Sequence, residues 1–293
     1  MSQELTDYPK IGLALGSGGA KGLAHIGVLK AFEKAELDIS FIAGSSIGAL
    51  VGAYYAAHPN LLKLEELILS FNKRKGYMLF DPTLRGGLLK GKRIEKLISE
   101  ILEDATFENL RIPFAAIATD MQSAKEVVIR SGNLAKSIRA SISVPPIFQP
   151  VTYSNKILAD GGLSDPVPVR AARDMGSDIV IAVNVESGYF NEPLLKTPPL
   201  RGLPMHSVNI LRHNITFQSL STADFIITPK TPNIGLIGWN YFFDNKKATD
   251  MIKAGEEAAR KAIPKIRRLI EERQKEQEPR GIRRFLSFFR KQN

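Results

Sequence analysis

The stretch Ser40–Gly52, which reads SFIAGSSIGALVG, decides how the rest of the chain is interpreted. Its first half is short and apolar, as in a buried β-strand, and its second half is rich in small apolar residues, as in a buried helix. A Gly-x-Ser-x-Gly pattern lies between the halves, with Ser46 at its centre. Small residues on both sides of a serine allow a sharp turn from strand to helix that exposes the hydroxyl. Ser46 is therefore a candidate nucleophile.

The same region allows a second interpretation, as a membrane-spanning helix. The 24 residues of segment 39–62 include no Asp, Glu, Lys or Arg, and about 20 apolar residues suffice to cross a bilayer. Gly44, Gly48 and Gly52 also repeat the small-residue spacing of paired membrane helices. Polar serines, however, fall early in this run, and a histidine and a proline follow. We therefore expect a buried strand and a buried helix here.

Composition places the chain among globular proteins. With 293 residues, 44% of them hydrophobic and 24% charged, it is long enough for one large α/β domain or two small ones. It contains no cysteine, which excludes disulfides, thiolate metal sites and cysteine nucleophiles. The acidic start, Met1–Asp7, lacks the basic and apolar runs of a secretory signal. We therefore expect a cytoplasmic protein.

The net charge of +10 is concentrated near the C-terminus. Residues 260–293 hold 12 Lys or Arg and 4 Asp or Glu, whereas residues 1–259 hold 28 and 26. The high isoelectric point is thus a property of the last segment and not of the globular body. This distribution argues against a surface that binds nucleic acid.

Strand patterns alternate with helical patterns along the chain, which predicts a three-layer α/β/α sandwich with a mainly parallel central sheet. Segment 251–277 is helical in pattern, and Pro264 is expected to kink or divide it. Segment 73–90 is irregular and basic, and we expect it to form a flap over the site. The strand patterns lie at 10–15, 112–120, 126–130, 156–159, 178–185 and 224–228.

A glycine-rich loop, Gly16–Gly22, reads GSGGAKG and follows the first predicted strand. Its bare N–H groups are suited to binding an anion. A dinucleotide fingerprint fits only with Ser17 in place of its first glycine, and the acidic residue expected after the next strand is missing. A transient oxyanion is the better candidate, because Ser46 ends the neighbouring strand. Residues 86–93 partly match a phosphate-binding loop but end in Arg instead of Ser or Thr, so they predict only the start of a helix.

A serine hydroxyl needs a base, and two kinds of residue are available. In the order Ser, acid, His of an α/β-hydrolase, only His206 and His213 lie late enough in the chain. Each of them also fits a surface or packing position. Asp160 ends a predicted strand and precedes two glycines, at the edge where parallel sheets place their sites. It is either a turn aspartate or, if partly desolvated beside Ser46, a general base.

Three motifs follow one another at Gly16–Gly22, Gly44–Gly48 and Asp160–Gly162. Together they resemble the patatin-like phospholipases, which use a Ser–Asp dyad without histidine. The similarity extends over residues 11–259 and includes Ala140–Ser141 followed by a proline.

This resemblance implies a role for each motif. Ser46 is expected to be the nucleophile, and Asp160 the base that also activates water for deacylation. Gly18 and Gly19 are expected to donate hydrogen bonds to the oxyanion. The chemistry requires no metal and no organic cofactor. The other residues of the glycine-rich loop are Gly16, Ser17, Lys21 and Gly22.

Two positions depart from the family pattern. Ser17 replaces the first glycine of the loop, and Lys21 replaces its usual arginine. Neither change removes a backbone N–H, but lysine lacks the planar fork that makes bidentate contacts.

The expected reaction is hydrolysis of carboxylic ester bonds of phospholipids or lysophospholipids through an acyl-enzyme, by a domain that spans residues 8–275. One alternative is an α/β-hydrolase esterase with a histidine-containing triad. The other is a non-enzymatic lipid-binding or adaptor protein on the same fold.

The last segment, residues 276–293, is predicted to be a basic amphipathic tail. A short basic helix with an apolar face is attracted to an anionic membrane surface. We therefore expect the tail to hold the protein at the periphery of a membrane. The apolar residues at helical spacing are Ile282, Phe285, Leu286 and Phe289, and the basic residues beside them include Arg283, Arg284 and Arg290.

Overall fold

The computed structural model describes residues 8–58, 60–70, 80–186, 203–232, 234 and 238–277. In this part of the chain one sheet contains eight strands. The strands are β1 (Ile11–Leu15), β2 (Phe41–Ser45), β3 (Phe114–Asp120), β4 (Glu126–Ile129), β5 (Val151–Tyr153), β6 (Lys156–Asp160), β7 (Ile179–Val183) and β8 (Phe225–Ile227).

The helices connect the strands and cover the sheet. They are α1 (Leu23–Lys34), α2 (Ile47–Ala57), α3 (Leu61–Leu69), α4 (Lys92–Ile101), α5 (Leu134–Ser141), α6 (Val169–Asp174), α7 (Leu203–Leu220), α8 (Trp239–Phe242) and α9 (Asn245–Gln277). Residues 86–93 were predicted to hold the start of a helix, and α4 indeed begins at Lys92.

The sheet has the pairing order β5-β6-β3-β2-β1-β7-β8, and β4 also pairs with β3. Strands β3, β2, β1, β7 and β8 run parallel to their neighbours in this series. Strands β4, β5 and β6 pair antiparallel, which makes the sheet mixed. The predicted α/β/α sandwich is therefore confirmed, and each antiparallel pair involves β3 or β6. The short strand β5 was not predicted, because three residues carry too little periodicity.

β2 and β6 meet end to end along the same edge of β3. Ile117 of β3 pairs with both β2 and β4, so these two strands lie on opposite edges of β3. Ala118 pairs with both β4 and β6, so β6 lies on the edge that β2 occupies. The pair of Ser45 with Ile117 is followed directly by the pair of Asp160 with Ala118. The end of β2 and the end of β6 are thereby brought together.

Alternate residues of the central strands face opposite layers of helices. In β1, Leu13 and Leu15 belong to a buried core shared with α1, α2 and α9. Ala14 points to the other face, where a second core includes Ala172 of α6. Because side chains alternate along a strand, this arrangement requires helices on both faces of the sheet.

Helix α9 runs without interruption through Pro264, so of the expected kink or division the division does not occur. Proline removes one backbone hydrogen bond from the ladder of a helix. Buried residues on both sides of it, Ala259, Ala262 and Ile266, anchor the two halves in the same core. The packing therefore outweighs the lost hydrogen bond.

The apolar run at residues 39–62 becomes β2, α2 and the start of α3, in agreement with the prediction of a buried strand and helix. Within the described ranges, no helix combines the length and the apolar character needed to cross a membrane. Segment 276–293 lies outside the described residues after position 277, so the predicted membrane-binding tail stays a prediction. Residues 73–79 of the predicted flap also lie outside the described residues, so the flap stays a prediction.

Candidate active site

Ser46 occupies a sharp turn between β2 and α2. Its backbone has φ 54° and ψ −122°, a region that non-glycine residues rarely adopt. A Cβ at Gly48 would lie 2.2 Å from the carbonyl oxygen of Leu15, so only glycine lets α2 begin this close to β1. The N–H of Ser46 donates to Oγ of Ser141, 2.9 Å away. These contacts hold the turn that carries the Ser46 hydroxyl.

The Ser46 hydroxyl donates a hydrogen bond to Oδ2 of Asp160 over 2.6 Å. Both residues are buried and lie 114 positions apart in sequence. They meet because β2 and β6 converge on one edge of β3. A hydroxyl and a carboxylate at this distance can exchange a proton directly.

Asp160 is held in place by three hydrogen bonds besides the one from Ser46. Its Oδ1 accepts the N–H of Gly162 at 2.8 Å, and its carbonyl accepts the hydroxyl of Thr119 at 2.7 Å. Its own N–H donates to the carbonyl of Ser143 at 3.0 Å. The carboxylate therefore presents Oδ2 to Ser46 in a fixed orientation.

Burial raises the pKa of Asp160 to about 6. The nearby Arg212 cation, the Ser46 hydroxyl and the Gly162 N–H act in the opposite direction, since each of them stabilises the ionised carboxylate. The group is thus ionised at neutral pH, yet basic enough to accept a proton close to that pH.

The glycine-rich loop lies beside this pair. Gly18 and Gly19 both line the cavity that Ser46 and Asp160 face. Among the described residues, no acceptor takes the backbone N–H of Gly18 or Gly19. These two donors are available to an anion in the cavity.

The start of the loop is fixed by three contacts. Gly16 N–H donates to the Val183 carbonyl at 3.1 Å, and Ser17 N–H donates to the Pro166 carbonyl at 2.8 Å. His25 Nε2–H donates to the Gly16 carbonyl at 2.7 Å. Burial lowers the pKa of His25 to about 4, so its ring is neutral and serves as a donor at physiological pH.

Arg212, on α7, joins the glycine-rich loop to the turn after Asp160. Its Nε donates to the Gly162 carbonyl at 3.1 Å, and its Nη2 donates to Oγ of Ser17 at 2.8 Å. The same Nη2 lies 2.8 Å from a carboxylate oxygen of Glu186, which balances the buried charge. The hydroxyl that replaces a glycine at position 17 is therefore the acceptor for this arginine.

Arg212 and Glu186 were not found from the sequence. An arginine in a polar helical stretch is ordinarily exposed, and no motif surrounds it. The one available signal is Ser17 itself, because a hydroxyl in a buried glycine loop requires a partner.

Lys21, a residue of the same loop, is buried. Burial lowers its pKa, while the Glu186 carboxylate raises it and the Arg212 cation lowers it further. Lys21 thus lies close enough to Glu186 and Arg212 to interact with both of their charges.

A cavity of about 800 Å³ extends from Ser46 and Asp160. Its polar lining includes the amides of the glycine loop and Arg212, and most of the remaining lining is apolar. A cavity of this size and character suits an acyl chain. Its apolar side chains include Leu50, Val51, Leu97, Ile98, Ile142 and Phe148.

None of the described residues that line this cavity is a histidine. His206 and His213, the candidates for a triad, both lie on α7. The partner of the Ser46 hydroxyl is the Asp160 carboxylate.

Residues 13–173 match the family model of the patatin-like phospholipases. An uncharacterized NTE family protein of Mycobacterium tuberculosis is 39% identical over 178 residues, which cover 60% of this chain and 49% of that protein. Lysophospholipase nte1 of Aspergillus fumigatus is 31% identical over 198 residues, covering 66% of this chain and 13% of that protein. The chain thus matches about half the length of the mycobacterial relative and a small part of the fungal one.

Human patatin-like phospholipase domain-containing protein 6 is 32% identical over 186 residues, covering 60% of this chain and 13% of that protein. Among solved structures, VipD from Legionella pneumophila superimposes with a TM-score of 0.60 at 11% identity, covering 88% of this chain and 67% of that one. This structural likeness concerns the fold alone. The matched family model spans more than half of the chain, and the protein therefore belongs to the patatin-like phospholipase family.

Proposed function

We propose that this protein is a serine acyl hydrolase that cleaves carboxylic ester bonds of phospholipids or lysophospholipids. Membership of the patatin-like phospholipase family supports a lipid hydrolase in general. The observation that carries the specific proposal is the 2.6 Å hydrogen bond from Ser46 Oγ to Asp160 Oδ2. The proposed hydrolase domain covers residues 8–275 and includes nearly all of α9.

Acylation uses Asp160 as the base. As Ser46 Oγ attacks the ester carbonyl carbon, its proton passes to Oδ2 of Asp160. The carbonyl π electrons move to oxygen, and the N–H groups of Gly18 and Gly19 stabilise the oxyanion. When the intermediate collapses, the bond to the alcohol breaks, and the leaving oxygen takes the proton from Asp160. The products are an acyl ester on Ser46 and a free alcohol.

Deacylation reverses the roles with water in place of the alcohol. Asp160 accepts a proton from water, whose oxygen attacks the acyl carbon. The bond between the acyl carbon and Ser46 Oγ then breaks, and Ser46 Oγ takes the proton back from Asp160. A free fatty acid is released and the dyad is restored.

The apolar cavity suits the acyl part of the substrate. Each methylene moved from water into an apolar environment contributes about 0.8 kcal/mol. Long acyl chains are therefore expected to bind much better than short ones. The name of the fungal relative, a lysophospholipase, is consistent with this substrate class.

Arg212 acts in this proposal as a positioning residue. It bonds to Gly162, next to the base, and to Ser17, next to the oxyanion donors. One guanidinium thereby fixes the distance between the base and the oxyanion donors.

Labelling with a fluorophosphonate, followed by peptide mapping, tests the nucleophile. We expect the label on Ser46, and no label on Ser46→Ala or on wild-type protein inhibited beforehand. Labelling at another serine would contradict the proposal. Release of fatty acid from lysophosphatidylcholine, compared between wild type and Ser46→Ala, tests the substrate class. Equal rates for the two proteins would favour the adaptor alternative.

A further inference from the structure

We propose that the loop formed by residues 80–93, named here the tip loop, docks on the surface of an anionic lipid bilayer. The inference rests on the proposed function in one respect, since a bilayer is the source of the lipid substrate. It concerns a surface different from the C-terminal tail.

The tip loop carries apolar side chains into solvent beside the cavity. Leu84 is 98% exposed, Leu88 is 58% exposed and Phe80 is 53% exposed. Leu88 and Phe80 also line the cavity, so the cavity reaches the surface at this loop. An apolar surface therefore continues from the wall of the cavity to the end of the loop. A lipid moving from a bilayer into the cavity along this surface would keep its acyl chain out of water.

The base of the tip loop is held firmly. The Asp81 carboxylate accepts the N–H of Gly91 at 2.9 Å and the N–H of Arg93 at 3.2 Å. The N–H of Leu89 donates to the carbonyl of Ile147 at 2.8 Å. The loop thus presents Leu84 without having to order itself when it binds, which avoids an entropic cost.

A buried arginine strengthens the same base. Arg139 Nη2 donates to the carbonyls of Lys90 and Gln149, at 2.8 and 2.9 Å, and its Nε donates to the carbonyl of Gly91 at 3.1 Å. The loop is therefore anchored to α5, which also supplies Ser141 beneath Ser46. Docking at the tip would fix the orientation of the site relative to the membrane.

The charge of the tip loop complements an anionic bilayer. Arg85, Lys90, Lys92 and Arg93 are all exposed. The single acidic residue of the loop, Asp81, has its carboxylate engaged by backbone N–H groups. Basic side chains around a protruding apolar residue match the arrangement of headgroups over acyl chains. A protein partner would instead require a broader, shape-complementary apolar patch.

The docking test uses the full chain carrying Ser46→Ala, so that vesicles stay intact. Leu84→Trp in this background places an indole at the tip, and the chain otherwise contains a single tryptophan, Trp239. Vesicles of phosphatidylcholine and phosphatidylglycerol should shift the added emission to the blue, and brominated acyl chains should quench it. If the protein binds these vesicles and the added emission neither shifts nor is quenched, the tip loop does not insert and the proposal is wrong.

A second measurement compares vesicle partitioning of Leu84→Ser and Phe217→Ser, both combined with Ser46→Ala. Phe217 is 74% exposed near the end of α7. It is a matched control, since it is an exposed apolar side chain that lies outside the tip loop and does not line the cavity. We expect Leu84→Ser to weaken partitioning at least about fivefold, and Phe217→Ser to change it less than twofold. Equal effects of the two substitutions would overturn the proposal.

The two proposals can fail separately. With Ser46 intact, Leu84→Ser should hydrolyse a soluble short-chain ester at the wild-type rate, because Leu84 does not line the cavity. Absence of Ser46-dependent hydrolysis would refute the proposed function, whereas the vesicle measurements on Ser46→Ala variants report docking alone.

Discussion

Nη2 of Arg212 donates a hydrogen bond to Oγ of Ser17 over 2.8 Å, although the two residues are 195 positions apart. The guanidinium also reaches Gly162, so it connects the loop that contains Gly18 and Gly19 to the turn that orients Asp160. The family match ends at residue 173, and Arg212 lies beyond it. The part of the chain outside the match thus completes the geometry of the site.

Arg212→Gln is expected to lower kcat/KM for a short-chain ester by about ten- to a hundredfold, because small displacements of reacting groups have effects of this size. The substitution also removes a cation that lowers the pKa of Asp160. The acidic limb of the kcat/KM profile should therefore move to higher pH. Arg212→Lys keeps the positive charge but lacks the planar guanidinium that makes both contacts. Its kcat/KM should therefore fall, while its pH profile should shift less than that of Arg212→Gln. A pH profile that is unchanged in Arg212→Gln would contradict this assignment.

The wild-type rate should depend on the ionisation of Asp160. A general base works only when it is deprotonated, so kcat/KM should rise with pH through about 6, the pKa that burial gives this carboxyl. Measurement with an uncharged ester between about pH 4.5 and 8 avoids titration of the substrate. A profile already flat at pH 5 would show that the essential base is a more acidic group.

Asp160→Asn is expected to abolish hydrolysis and to stabilise the fold. An acid whose pKa is raised on folding contributes stability below its unfolded value, near 3.8, and loses that contribution as pH rises through about 6. Asparagine, which does not ionise, escapes this loss. The free energy of unfolding at pH 7 should rise by at most about 3 kcal/mol. In urea titrations, the difference in the free energy of unfolding between wild type and Asp160→Asn should disappear below about pH 4.

Asp165→Asn is the matched control for this stability effect. Burial raises the pKa of Asp165 to about 7, and its carboxylate accepts the hydroxyl of Ser219 at 3.0 Å. This variant should also gain stability at neutral pH, while its hydrolysis stays within about twofold of wild type. Loss of hydrolysis in Asp165→Asn would mean that stabilisation, and not loss of the base, explains inactivity in Asp160→Asn.

His206→Ala and His213→Ala should leave short-chain ester hydrolysis within about twofold of wild type, because the hydroxyl of Ser46 is bonded to a carboxylate. The measurement separates the dyad from a histidine triad. A loss of about a hundredfold or more in either variant would favour the triad.

The apolar cavity predicts a dependence on acyl chain length. For p-nitrophenyl esters, kcat/KM should rise about three- to fourfold per added methylene until the cavity is filled. Val51→Trp should stop this increase at a shorter chain, since Val51 lines the cavity. Equal values for short and long chains, measured below their micelle concentrations, would show that the acyl group binds elsewhere.

Local patterns predicted the parts of the fold that depend on neighbours in sequence. The apolar run and small residues around Ser46 indicated a strand and a helix, and the structure has them at Phe41–Ser45 and Ile47–Ala57. The strand that ends at Asp160 was likewise recognisable from its pattern. These features follow from periodicity and from glycine, which act over a few residues.

Features that depend on distant contacts were not predictable. The role of Arg212 requires α7 to return across the site, and nothing in its neighbourhood indicates burial. The continuity of α9 through Pro264 depends on the core beneath it. The antiparallel pairing of β6 with β3 depends on a connection that reverses the chain. In each case tertiary packing outweighs the local preference.

The edge of β3 that pairs with both β2 and β6 sets the distance between Ser46 and Asp160. The hydroxyl of Thr119 donates to the carbonyl of Asp160, 41 positions later in the chain. This pairing, and not the length of the chain between the two residues, sets where the Asp160 carboxylate lies. Insertions in the turns at residues 121–125 and 154–155 should therefore be tolerated. One residue inserted between Ile117 and Ala118 would displace the following pairs by about 3.3 Å and reverse their faces. The site should therefore tolerate a change in the length of these turns far better than a change in the length of β3.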